Sequence, residues 1–313
     1  MKLTQISAAL AAASLMTVVV SANAAVAFQF NPNGTGATGA INGAYTIDQA
    51  PGSTVALNGV NTVTPGAPLP VGTVVTNYYQ ANLNSILGST SNILFSNGTG
   101  GNYFTFSANY TEKVVAGAYA PGVSSSSSFS ILSGAFKMCA QSAAGVDLAG
   151  TGFGCAGNGI LSGTITGGSA NVGAELDKPP ALLDSFGGDG WGGVLSILTS
   201  GGARISAQLD YINAGYFPDL DVAGMIELLL TNSSLITPFN QVDPSKRYSS
   251  NLISDNYAAN VGAVNGMNGP DFVFQADANT SFDRKAVPEP GTLALVGAAL
   301  LGLALRRRVK TDV

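Results

Sequence analysis

Histidine is missing from all 313 residues. Its absence excludes Ser-His-Asp and Cys-His catalysis and the common zinc sites. Only two cysteines occur, Cys139 and Cys155, and a single tryptophan, Trp191. Charge is scarce, at 10% of residues, and between Ala25 and Thr111 the sole charged side chain is Asp48. From residue 25 to 287 sixteen acidic side chains face eight basic ones, a net charge of −8. That balance argues against nucleic acid and anionic membrane surfaces as partners.

Long apolar runs occur only near the two ends. Lys2 precedes an Ala- and Val-rich stretch over 6–20, followed by small residues and Ala22-Asn23-Ala24. This is the pattern of a secretory signal peptide over 1–24, read by the Sec translocon and cut by signal peptidase. At the other end, Pro288-Glu289-Pro290 cannot continue a helix or a central strand, because both prolines lack the N–H and fix φ. Residues 291–305 carry no charge and read as a single transmembrane helix, and Arg306, Arg307 and Arg308 hold its far end in the cytoplasm. Fifteen residues span only about 22 Å, short of the roughly 30 Å hydrocarbon core, so the anchor is marginal. A marginal anchor suits a segment that is later cut away.

In order and position, this motif, helix and basic stop resemble the PEP-CTERM sorting signal of exopolysaccharide-secreting Gram-negative bacteria. The resemblance covers 287–308, within a sorting signal bounded at 287–310. It implies an exosortase, a membrane cysteine protease, as the processing partner at Pro288-Glu289-Pro290, and a path from the inner membrane to the cell surface or extracellular matrix.

Between the two signals, residues 25–286 form an extracytoplasmic β-rich domain. Asn-Gly pairs at 33–34, 42–43, 58–59, 97–98, 158–159, 265–266 and 268–269 supply turns, since both residues accept positive φ. Strand-like runs lie at 26–30, 44–47, 72–79, 103–115, 129–138, 160–166, 203–212 and 272–278, with 225–231 read as a further strand. In the run from Tyr103, alternation puts Phe104, Phe106 and Ala108 on one face. No fixed repeat period is present, which weakens a solenoid reading. The expected fold is an all-β antiparallel sandwich of jelly-roll type. Pro65-Gly66-Ala67-Pro68-Leu69-Pro70 reads as a stiff loop and 124–128 as a solvated serine tract.

Cys139 and Cys155 lie in an exported, glycine-rich segment, so one disulfide closing a short loop is expected. Candidate chemistry is sparse. Asp184, Asp189, Asp219 and Asp221 are nominal acids for glycoside hydrolysis, but no spacing selects a pair. The stretch from Asp184 to Gly193 sets Trp191 in a glycine-rich acidic loop, where Asp189 and Trp191 could contact a glycan, or oxygens could hold calcium. The simpler reading is a buried tryptophan pinned by glycine turns. Asn31-Pro32-Asn33-Gly34-Thr35-Gly36 offers oxygens but no carboxylate, and reads as a turn.

Several segments of the body also resemble flocculation-associated PEP-CTERM proteins. They are Ala27-Phe28-Gln29-Phe30-Asn31-Pro32, Asn77-Tyr78-Tyr79-Gln80-Ala81, 95–103, 239–245 and 274–282. That resemblance implies a non-enzymatic surface or exopolysaccharide-matrix protein that helps cells aggregate in flocs or biofilm. No cofactor is implied, calcium apart. A carbohydrate-binding module acting through Trp191 is the alternative expectation, and a secreted glycosidase the third.

Overall fold

A computed structural model describes residues 26–155, 159–188, 190–222, 226–250 and 253–284. The signal segment, the sorting tail and Asp189 lie outside these residues. Among the described residues there are sixteen strands: β1 Phe28–Phe30, β2 Ile41–Gln49, β3 Gly52–Leu57, β4 Val74–Gly88, β5 Ile93–Ser96, β6 Tyr103–Ala120, β7 Ser124–Gln141 and β8 Gly159–Glu175 in the first half. The second half holds β9 Ala181–Leu182, β10 Leu195–Ser196, β11 Leu198–Ile212, β12 Ile226–Ile236, β13 Arg247–Ser250, β14 Ile253–Ala258, β15 Val264–Asn265 and β16 Phe272–Arg284. A 3₁₀ turn spans Thr99–Gly101.

The all-β antiparallel architecture expected from the sequence is present, in a simpler connectivity than a jelly roll. β4, β6, β7, β8, β11, β12 and β16 each pair with the next in an antiparallel meander. β2 and β3 lie end to end between β4 and β16 and pair with both. The sheet therefore closes on itself, and its opposite walls serve as the two packed layers. The break between β2 and β3 falls at Pro51, which has no N–H to give a ladder, while the Ala50 N–H donates to the Asn82 carbonyl at 2.8 Å.

Side chains alternate across this wall with period two. Inward positions of every wall with described side chains join one core, including Phe104, Phe106 and Ala108 of β6, Ile205 and Leu209 of β11, and Phe274 and Phe282 of β16. Phe106 and Phe136 stack with centroids 5.7 Å apart. Gly163 makes that possible, because a Cβ there would collide with the Phe136 ring. At one end, β1 lays Phe28 and Phe30 against Phe95, Phe104, Phe217 and Phe282 at centroid separations of 4.9–6.0 Å. At the middle, the Tyr79 hydroxyl donates to Gln49 Oε1 at 2.6 Å, and Gln49 Nε2 donates to Thr280 Oγ1 at 2.9 Å. These bonds satisfy polar groups that burial would otherwise penalise.

A second core lies outside the wall. Val55 and Val273 point outward and are covered by Leu183, Phe239, Val242, Tyr248 and Val261. The covering chain carries the small sheets β15–β10–β9 and β13–β14.

The serine tract is a correction. Ser124 to Ser128 pair with Ala120 to Ala116 of β6 on one side and with Glu175 to Asn171 of β8 on the other. Two flanking strands satisfy its backbone, which overrides serine's weak strand preference.

Candidate functional site

Cys139 ends a buried stretch of β7, and the chain returns to it at Cys155 with a Cα separation of 5.5 Å; the two form a disulfide. The loop it closes lies against β4 and β6. Asn82 Nδ2 donates to the Gly145 carbonyl at 3.1 Å while the Gly145 N–H donates back to Asn82 Oδ1 at 2.7 Å. Gln141 Nε2 donates to the Gly154 carbonyl at 2.7 Å. Closing a loop of this length stabilises by about 3 kcal/mol in the chain-entropy description. Intact mass of the unreduced protein should be two hydrogens lighter than after reduction; two titratable thiols in unreduced material would contradict the bridge.

Trp191 is half-buried against the outer core, and its Nε1–H donates to the Pro244 carbonyl at 3.1 Å. The Asp184 carboxylate ties the same loop, accepting from the Phe186 and Gly190 N–H groups at 3.1 Å each. Asp219 instead accepts from the Gln29 N–H at 2.7 Å, far along the chain. Asp221 is exposed. Among the described residues no three His, Cys, Asp or Glu side chains gather as a metal site would require. In the Asn31–Gly36 turn, the Asn31 amide nitrogen donates to Thr35 Oγ1, the Gly36 carbonyl and the Thr38 carbonyl at 2.6–3.0 Å. A neutral N–H₂ group thus sits where a cation would have to sit.

The carboxyls with unusual surroundings are others. Asp147 beside Asp243 is pushed up to about 7, first by burial and then by its neighbour's charge. Glu112 is the more enclosed. Continuing the alternation of Phe104, Phe106 and Ala108 through Tyr110 puts Glu112 on the inner face of β6, where it is 7% exposed. Burial raises its carboxyl from 4.5 to about 7, and the Asn77 amide facing it from β4 holds the value down somewhat.

A carboxyl raised on folding stabilises fully below its unfolded pKa, and that contribution is lost as pH climbs through the folded value. Here the window runs from 4.5 to about 7. Glu112→Gln removes the penalty carried above it. Relative to wild type, the variant should gain about 3 kcal/mol at pH 8 and nothing at pH 4, read by urea denaturation at both. Equal stability at pH 8 would show that the carboxylate is solvated.

Compared with known proteins, residues 286–308 match the PEP-CTERM protein-sorting motif. No curated protein and no solved structure matches the chain. The matched residues contain Pro288, Glu289, Pro290 and the three arginines, and they lie outside the described residues. Among the described residues no helix is long and apolar enough to cross a membrane. The chain therefore carries a PEP-CTERM sorting signal, which makes it an exported extracellular protein, transiently anchored in the membrane and processed by an exosortase.

Proposed function

We propose that this chain is a non-enzymatic cell-surface or exopolysaccharide-matrix protein that supports flocculation or biofilm formation. Sec exports it, signal peptidase removes 1–24, the domain over 25–286 folds outside, and exosortase processes 287–310. The observation that carries the reading is the sorting motif at 286–308. The body is consistent with it. It has no histidine, one buried disulfide, and long strands β6, β7 and β8 whose distal halves expose Ser, Ala, Gly and Asn to solvent.

Deleting the gene in its host and restoring it tests the role. Aggregation and matrix retention should fall on deletion and return with wild type, but not with a chain lacking 287–313. Unchanged aggregation in the deletion would end the proposal. Polysaccharide binding lost in a folded Trp191→Ala variant would favour the carbohydrate-binding module instead. Polysaccharide turnover lost on changing one Asp would favour a glycosidase.

A further inference from the structure

The two ends of the barrel are filled differently. One is packed solid by phenylalanine rings. The other holds a cavity of about 100 Å³ beneath the chain that links β3 to β4. Its walls are mainly apolar: Leu69, Val75, Phe129, Val172, Leu235 and Phe274. The linking chain is shaped by Asn61, whose Nδ2 donates to the Pro68 carbonyl at 3.0 Å and whose Oδ1 accepts from the Thr64 N–H at the same distance.

Into this apolar space the fold places one carboxyl, Glu112. Among its lining residues only Glu112 and Tyr110 titrate, and no Lys or Arg is present. Lys113, the next residue, is exposed, on the other side of the strand. Asn77 of β4, 1% exposed and outside the cavity lining, turns its amide to the carboxyl. A buried carboxylate without a cation is costly. A ligand that relieves this cost must carry a positive charge at one end and hydrocarbon at the other.

We propose that this cavity binds a small alkylammonium ion, with the ammonium group against the Glu112 carboxyl and the chain against Leu69, Val75 and Phe129. A bare divalent cation does not fit, because calcium takes six or more oxygens and this wall is mostly carbon. Size sets the rest. A dry cavity of about 150 Å³ accepts benzene, so the smaller space here takes roughly four or five heavy atoms. Butylammonium has that size.

Calorimetric titration of the purified full chain tests the assignment, with n-butylammonium chloride and isosteric n-butanol as probes. At pH 8 wild type should bind butylammonium more tightly than butanol. Glu112→Gln should weaken butylammonium at least tenfold and leave butanol unchanged, which also reports that the cavity persists in the variant. Below about pH 7 a proton competes for the same carboxyl, so wild-type affinity should fall about tenfold per pH unit. Tyr110 stays neutral throughout, because burial raises its hydroxyl well above 10. Absence of butylammonium binding, equal affinity in Glu112→Gln, or tighter binding of butanol would each overturn the proposal. Should the variant fail to bind butanol, the wild-type pH profile decides alone, and a flat profile overturns it.

Discussion

A chain in which Pro288 and Pro290 are both alanine is expected to accumulate as membrane-bound precursor with its C-terminus intact at Val313. Both prolines disfavour helix across Glu289, because neither can give a backbone N–H and each disfavours helix in the residue before it. Alanine at both positions should therefore let a helix in the apolar segment extend into the site. A protease needs extended backbone in its cleft, so helix across 288–290 hides the scissile bond. Replacing Arg306, Arg307 and Arg308 with serine acts on another step. It removes the positive charge expected to retain the cytoplasmic end, and full-length protein should leak past the membrane. Fractionation with C-terminal mass spectrometry separates the outcomes: precursor in the membrane for the first, intact chain in the medium for the second. Wild-type surface material that still ends at Val313 would refute processing altogether.

Phe30→Ala is expected to cost 3–5 kcal/mol, the range for removing a fully buried aromatic ring. Phe30 is 0% exposed and meets Phe95, Phe104 and Phe217 at centroid distances of 5.3–5.6 Å. It sits on β1, a strand of three residues, and three ladder positions cannot pull a partner chain in to refill the space. The substitution leaves a void where β1 seals the barrel. The melting temperature should drop by roughly 10 °C, since each kcal/mol is worth about 2–4 °C at this size. Phe186→Ala is the control. That ring is 45% exposed, so its loss should change stability by less than about 0.5 kcal/mol. A loss under 1 kcal/mol for Phe30→Ala would mean the aromatic cluster does not close this end.

How much was legible differs from element to element. The runs from Tyr103 and Ala203 announce their strands because each buries one face, and burial writes a period of two into the sequence. β3 is silent by comparison. Its residues Gly52–Leu57 are buried on both sides, inward at Ala56 and outward at Val55 under the second core, so no alternation survives. Asn42-Gly43 misleads as a hairpin signal. Gly43 does take positive φ, at 73°, but inside β2, where it shifts the strand rather than reversing it. The inward Glu112 lies two steps further along the alternation that places Phe104, Phe106 and Ala108. The acidic-loop carboxylates Asp184 and Asp219 are instead bonded to backbone N–H groups.

By itself the sequence determined the all-β class, the partner of each cysteine and the sorting tail. Each of these rests on local pattern: side-chain alternation, the sole available thiol pair, and a motif read in one stretch of chain. Only the tertiary structure decided that the sheet closes, which carboxyl is trapped inside, and that Trp191 leans on an outer core. Those depend on strands far apart in sequence finding each other, as Gln49 and Thr280 do across 231 positions. No local signal encodes such a pairing, because it is settled by how all the walls together bury their inward faces.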